Sequence, residues 1–183
     1  MKCNNIGFTL VEMSIILVII GLIVGAIFTG STLSRSAALK SVITDFNTYK
    51  TAIHAFDEKY TSYPGDLVNA RAYWPNDSVY AGFVTQNGNG DRRIEWASES
   101  HQSWQHLNAA ELIPGKFTGI FGSGSRTGIN IPDSTIKGGG FDLYHSWWYG
   151  TAAGGDRNRI LFGSERPLIL TRALYLAHPK HMQ

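Results

Sequence analysis

A short run of oxygen-bearing side chains between glycines has the spacing of a cation-binding loop. Asn87, Asn89 and Asp91 stand at alternate positions with glycine between them, and amide and carboxylate oxygens are the ligands that Ca²⁺ prefers. The run departs from the EF-hand pattern, which requires glycine at its sixth position and glutamate at its twelfth, where this chain has arginine and serine. The sequence therefore leaves two interpretations of these residues, a calcium-binding loop and a hydrated polar turn. It indicates no other cofactor.

Histidine, serine and glycine also occur in groups that resemble catalytic motifs, but the spacing is wrong in each case. His101 and His106 are five residues apart, so they do not share a helix face, and no H-E-x-x-H sequence occurs. The serines within 122–125 lack the spacing of a G-x-S-x-G nucleophile elbow, and the glycine run at 138–140 lacks the lysine of a phosphate loop. The sequence therefore predicts a protein that is not an enzyme and that binds no metal through histidine.

A single carboxylate inside an apolar segment is the most informative chemical group in the chain. Between Phe8 and Phe28, 16 of 21 residues are hydrophobic and Glu12 is the only charged one. As a helix this segment spans roughly 31 Å, close to the thickness of the hydrocarbon layer of a bilayer. A carboxylate within a membrane span costs a few kcal/mol and usually has a specific partner. We therefore expect Glu12 to have a functional partner.

The residues around Glu12 resemble the N-terminus of type IV pilins and of the pseudopilins of type II secretion systems. The resemblance lies in the sequence G-F-T-L-V-E at residues 7–12, which follows a short polar leader and opens the apolar span. It implies that prepilin peptidase removes residues 1–7 by cutting between Gly7 and Phe8, that Phe8 is then N-methylated, and that Phe8 and Glu12 act in assembly. Pairing Glu12 with the Phe8 amine of a neighbouring subunit would offset the desolvation of both charges.

The resemblance also implies a location and a set of partners. The expected protein is a single-pass protein of the bacterial inner membrane with a periplasmic head, and it enters a filament with copies of itself and other pilins. Prepilin peptidase, an assembly platform protein and an ATPase are the other expected partners. Nucleic acid is not expected, because 16 Lys+Arg against 14 Asp+Glu give a net charge of only +2 without a basic block.

The only cysteine of the chain bears on the choice between pilus and pseudopilus. Cys3 lies in the leader, so the mature chain would have no disulfide, whereas many type IV pilins close a C-terminal loop with one. This favours a pseudopilus subunit that supports protein export. A minor type IV pilin for adhesion, motility or DNA uptake stays open, as do a membrane-anchored periplasmic binding protein and a secreted hydrolase with an unusual signal peptide.

One long helix is expected to carry the N-terminal residues and to support the head. The transmembrane half of this helix is placed at 8–29 and an amphipathic half at 30–62. Apolar residues separated by three and four positions form one stripe along the second half: Leu39, Val42, Phe46, Tyr49, Ile53, Phe56 and Tyr60. The helix is expected to end before Pro64-Gly65, because the residue before a proline disfavours helical geometry.

The rest of the chain, 63–183, is predicted to form a head that gives the protein an α+β, pilin-like fold. Two helices are predicted at 67–73 and 99–113, with Asp66 and Ser98 as N-caps. Short β-type stretches separated by glycine predict a small antiparallel sheet packed on the long helix: 117–121, 128–131, 141–148 and 160–162. The tail, 172–183, shows no clear pattern beyond one turn of helix at 173–177.

Overall fold

The computed structural model describes residues 7, 9–75, 84–122, 124–146, 157–164 and 173–175. Its elements are, in chain order, α1 (Leu10–Tyr60), α2 (Ala70–Tyr73), α3 (Glu99–Ala109), β1 (Gly139–Ser146), β2 (Arg157–Ser164) and β3 (Ala173–Tyr175). The chain divides into two compact units, Met1–Lys40 and Ser41–Gln183. The second unit combines the end of α1 with a small antiparallel sheet, which confirms the predicted α+β, pilin-like fold.

The first unit contains the apolar part of α1. All residues from Thr9 to Ala37 are exposed, and the most apolar 18-residue window has a mean hydropathy of 2.8 with none of it buried in the protein. Among the described helices, α1 alone is long and apolar enough to cross a membrane, by length and composition. The predicted single helix through the span and beyond it is confirmed.

The second part of α1 contributes one apolar side to the core of the head. Of the predicted stripe, Val42, Phe46, Ile53 and Phe56 are buried, and Ala52 is buried beside them. Tyr49 and Tyr60 are half-buried against the same core, whereas Leu39, at the beginning of the stripe, is 53% exposed. The 3-and-4 spacing therefore identified the packed side of the helix correctly, except at its first member.

Aromatic contacts fix this side of α1 to α3 and to the sheet. The ring of Tyr49 makes edge contacts with Trp104 at 5.1 Å and with Phe141 at 5.0 Å between centroids. Trp104 and Phe141 are fully buried, and edge-to-face pairs of this kind stabilise a core beyond the area they bury. Tyr49 of α1 thus contacts both α3 and β1.

The two short helices of the head differ from the prediction at their ends. Asp66 does not cap α2, which begins four residues later, after Asn69; its carboxylate binds the loop at 90–92 instead. Ser98 precedes α3 as predicted but makes no side-chain cap, since its hydroxyl donates to the Glu95 carboxylate. Asp66 therefore serves a tertiary contact that no local pattern encodes, whereas Ser98 bonds to a neighbour three residues earlier in the chain.

α3 ends at Ala109, four residues earlier than predicted, in a Schellman motif. The N–H of Leu112 donates to the carbonyl of Leu107, and the N–H of Glu111 donates to that of Asn108. Glu111 occupies the left-handed position of this motif with φ 60°, where glycine is the usual residue. The absence of a glycine at this position explains why the end of the helix was predicted at Pro114.

The sheet has three antiparallel strands in the order β1-β2-β3. β1 and β2 pair with Phe141 opposite Phe162 and Leu143 opposite Ile160, and the buried side chains of Phe141, Leu143 and Ile160 join the core. The predicted strands at 141–148 and 160–162 are confirmed within these longer elements, while 147 and 148 lie outside the described residues. β3 occupies 173–175, where a helical turn was predicted, so that prediction was wrong.

The predicted strands at 117–121 and 128–131 are not strands. The described part of this segment has one isolated bridge, between Thr127 and Ile131, and the Thr118 N–H donates to the carbonyl of Ile129. A continuous ladder does not form, because the glycines at 119, 122, 124 and 128 have positive φ. The side chain of Asn130 replaces the ladder: its amide donates to the carbonyls of Ile120, Phe121 and Gly124.

Candidate functional site

The predicted processing and assembly residues lie at the beginning of α1. Gly7 is exposed, and a side chain added there would meet none of the described residues within 4 Å. Glu12 lies in the first turn of the helix and is exposed. The leader residues 1–6 and Phe8 lie outside the described residues.

Glu12 forms a capping box with Thr9. The hydroxyl of Thr9 donates to Glu12 Oε2 at 2.7 Å and its backbone N–H donates to the same oxygen at 2.8 Å. In return, the N–H of Glu12 donates to Thr9 Oγ1 at 3.3 Å. Such a reciprocal pair satisfies donors that a helix N-terminus would leave open. The T-x-x-E sequence at residues 9–12 is the signature of a capping box. The bond to Thr9 was therefore readable from the sequence, although the prediction for Glu12 considered only its charge.

The capping box gives the carboxylate two local donors but no counter-charge. A carboxylate at a helix N-terminus is also favoured by the helix dipole. Among the described residues near it, Glu12 has polar partners only on Thr9, and the neighbouring surface is apolar, with Leu10, Val11 and Ile15 more than half exposed. Glu12 is thus oriented by its own helix and is the only charged residue among the described residues 9–28.

A second group of titratable residues lies in the head, where Asp66, Asp91 and Glu99 bring their carboxylate oxygens within 4.8 Å of one another. We call these three residues the acidic cluster. Asp66 and Glu99 are buried and Asp91 is exposed. The cluster forms because residues 84–92 pass over the turn at Gly65, where a side chain on Gly88 would collide with the backbone of Gly65 and Asp66.

Backbone N–H groups hold the two buried carboxylates of the acidic cluster. Asp66 accepts from Gly90 at 2.6 Å and from Arg92 at 2.8 Å, and Glu99 accepts from Asn89 at 2.9 Å and Glu95 at 3.1 Å. Burial raises the pKa of Asp66 above its ordinary value despite these donors. Burial, with the nearby carboxylates adding to it, raises the pKa of Glu99 to about 7.

The predicted calcium residues lie in this loop, and their side-chain oxygens accept backbone hydrogen bonds. Asn87 Oδ1 accepts from Arg71 at 2.9 Å, Asn89 Oδ1 from Asp91 at 2.9 Å, and Asp91 Oδ1 from Arg93 at 2.8 Å. Of the three, Asp91 is the one that joins the acidic cluster. The three carboxylates of the acidic cluster are the groups that would hold a divalent cation here, and calcium binding stays a prediction.

His106 fastens the same loop to the end of α1. Gly65 donates its N–H to His106 Nδ1 at 2.9 Å, so the neutral ring carries its proton on Nε2 and donates it to the carbonyl of Gln86 at 2.9 Å. The ring stacks on Phe56 and contacts Trp74. It is completely buried, and burial lowers its pKa to about 4.

A chain of polar side chains, far apart in sequence, joins α3 to β1. Ser125 donates its hydroxyl to the buried Asp142 Oδ2 at 2.8 Å and lies 3.2 Å from His101 Nε2. His101 Nδ1 lies 3.0 Å from the hydroxyl of Ser100, and Asp142 Oδ1 accepts from Leu143 at 2.8 Å. Because Ser125 gives its only proton to Asp142, the ring donates to Ser125 and accepts from Ser100.

Serine, histidine and aspartate occur together here, but their order differs from that of a catalytic triad. In a triad the histidine accepts the serine proton and donates to the acid, whereas here Ser125 lies between His101 and Asp142. The N–H groups on both sides of Ser125 are also used, since Gly124 donates to a carbonyl and Arg126 donates to a side-chain oxygen. The arrangement supports a structural link between α3 and β1.

Residues 2–28 match a family model described as the prokaryotic N-terminal methylation motif, which is the signature of type IV pilins and pseudopilins. The match confirms the resemblance and ends with the apolar span. It supports a type IV pilin-like protein that prepilin peptidase processes and that assembles with other pilins, a structural subunit rather than an enzyme. No curated protein and no solved structure matches the chain.

Proposed function

We propose that this chain is a structural subunit of a type II secretion pseudopilus, or of a related filament, and that it supports protein export. The observation that carries the proposal is the methylation motif at 2–28, joined to one exposed apolar helix with a single carboxylate in its first turn. Before assembly the subunit is a single-pass protein of the bacterial inner membrane with its head in the periplasm. Assembly transfers it from the membrane into the filament.

The capping box suggests how Glu12 behaves before and during assembly. Cleavage after Gly7 creates a new amine on Phe8, four residues from Glu12 in the sequence. In the isolated subunit the carboxylate accepts from Thr9, which lowers the cost of holding it near the membrane. In the filament the amine of a neighbouring subunit supplies the missing positive charge, and the mutual attraction in a low dielectric drives docking.

The choice of a pseudopilus over a pilus rests on the cysteine content. Cys3 is the only cysteine and leaves with the leader, so the core of the head must hold without a disulfide. That core combines the packed side of α1 with Trp104, Leu107 and Phe141. The proposal includes the platform protein and the assembly ATPase as partners of the chain. A minor type IV pilin is the alternative to it.

Reconstitution of the filament tests the proposal. The full chain is expressed in a bacterial host with prepilin peptidase, a platform protein and its ATPase, and sheared material is collected by sedimentation. We expect filaments made of this chain when all components are present, and none when the peptidase is omitted. Sedimentation that does not depend on the peptidase, or a chain that stays in the membrane with every component present, would contradict it.

A further inference from the structure

A polar pocket of about 330 Å³ lies on the head. Its described lining residues are one aromatic side chain and four charged or titratable ones: Asp91, Arg93, Glu95, Trp96 and His145. A volume of this size lies at the lower end of the range for small-ligand sites. None of these residues takes part in the assembly mechanism proposed above.

Trp96 is exposed and packs one edge on a neighbouring ring. Its side chain is 57% exposed, and tryptophan is enriched at contact surfaces. The ring makes an edge contact with Phe121 at 5.0 Å, and Phe121 in turn contacts the buried ring of His101 at 5.2 Å. Trp96 thus presents a large aromatic surface, and a ring with only two side-chain torsions loses little conformational entropy when a ligand orders it.

The backbone of the pocket is fixed to the sheet. The N–H of His145 in β1 donates to the carbonyl of Ile94 at 2.6 Å. Asn158 in β2 accepts from the N–H of Ile94 at 2.9 Å and donates to the carbonyl of Arg92 at 3.0 Å. Residues 92–94 are therefore fastened to two strands, and the side chains that follow them are presented on a rigid support.

The pocket carries charges of both signs, and these disfavour simple ions and apolar molecules as ligands. An anion would meet the carboxylates of Asp91 and Glu95, and a cation would meet the guanidinium of Arg93. An apolar molecule would desolvate these charged groups without replacing their hydrogen bonds. A suitable ligand must donate to carboxylates, accept from Arg93 or His145, and present an apolar face to an indole ring.

We propose that this pocket binds a neutral sugar residue. The hydroxyls of a pyranose both donate and accept, which satisfies the carboxylates and the guanidinium together. Its C–H face is apolar and slightly positive, and therefore complementary to the negative face of an indole. Trp96 supplies that face, Glu95 accepts hydroxyl hydrogen bonds, and Arg93 donates to a hydroxyl or ring oxygen.

Fluorine NMR of the full chain tests the sugar site. The five tryptophans are replaced biosynthetically by 5-fluorotryptophan. The protein is held in micelles of lauryldimethylamine oxide, a detergent without a sugar headgroup. The Trp96 signal is assigned as the one that Trp96→Phe removes. Maltotriose, cellotriose and tri-N-acetylchitotriose are then titrated separately. We expect at least one to shift the Trp96 signal saturably, with a dissociation constant of roughly 1 mM or below.

Variants separate binding at this pocket from other effects. Glu95→Gln should weaken the response about tenfold, the effect of losing one hydrogen bond to a charged group. Tyr73→Ala is the matched control, because Tyr73 is an aromatic residue of similar exposure, 52%, on α2, and it should leave the affinity unchanged. The other four fluorine signals report whether each variant is folded.

Two titration results would overturn the sugar site, and so would one result with the variant. In one, none of the three sugars moves the Trp96 signal of the folded protein. In the other, spermidine or citrate moves it in place of the sugars, which would identify an ion site. A sugar response that persists unchanged in Glu95→Gln would remove the role assigned to that carboxylate and, with it, the chemical basis of the proposal.

Discussion

Replacing Glu12 by alanine is expected to leave a chain that is cleaved after Gly7 and stays in the membrane but does not enter filaments. The alanine variant removes the negative charge that would pair with the amine of a neighbouring subunit. Leaving a buried charge without its partner costs about 3 to 5 kcal/mol, so incorporation should fall by at least about a hundredfold. Sedimentation of sheared filaments, with quantification of the chain in the membrane and filament fractions, measures this.

Two further variants separate the charge of Glu12 from its role in the capping box. Glu12→Gln retains an acceptor for the Thr9 donors, since glutamine serves at this position of a capping box, but it has no charge. Thr9→Val keeps the charge and removes the hydroxyl that bonds to Glu12. We expect Glu12→Gln to fail as Glu12→Ala does, and Thr9→Val to retain much of its assembly. Normal filaments from Glu12→Gln would refute the pairing mechanism.

Acidification is expected to destabilise the head through His106. Its pKa is about 4 in the folded protein, against about 6.5 in an unfolded chain. Between these values only the unfolded state binds the proton, so the stabilising contribution is complete above about pH 6.5 and falls as the pH approaches 4. The full difference amounts to about 3 kcal/mol. Urea unfolding of the full chain in micelles, followed by tryptophan fluorescence between pH 7.5 and pH 4.5, measures it.

The acidic cluster acts in the opposite direction over part of the same range. The pKa of Glu99 is raised to about 7, so the folded state binds a proton before the unfolded state does. Through this residue stability rises as the pH falls from about 7 towards the ordinary value of 4.5. The urea experiment is therefore carried out in the Glu99→Gln background, with a chelator present so that no metal contributes.

In that background His106→Gln is the decisive comparison. Glutamine keeps a donor in place of Nε2 but cannot acquire a charge, so the variant should be less stable at pH 7.5 and lose less stability on acidification. If the two chains lose the same amount of stability between pH 7.5 and pH 4.5, then His106 is not the group that titrates, and the assignment of its buried neutral state is wrong.

The elements that depend on local patterns were predictable from the sequence. The 3-and-4 apolar spacing identified the packed side of α1, and the proline after Tyr63 located its end. The T-x-x-E capping box at Thr9 was equally readable, because both of its residues lie in one helical turn. Such features need only the spacing of residues along a helix.

The contacts of the head could not be predicted because their partners are distant in the sequence. Gly65 and His106 are 41 residues apart, and Ile94 and Asn158 are 64 apart. Asp66 has the residue type and position of an N-cap, yet tertiary contacts with Gly90 and Arg92 use its carboxylate. A local propensity of about 1 kcal/mol is readily outweighed by two hydrogen bonds to a buried charge.

The processing site is tested by the intact mass of the chain purified from membranes that contain prepilin peptidase. We expect a single species that begins at Phe8, lacks residues 1–7 and carries one added methyl group on its new N-terminus. A chain that still begins at Met1, or one cut at another bond, would contradict the claim that Gly7 and Phe8 form the processing site of a pilin-like subunit.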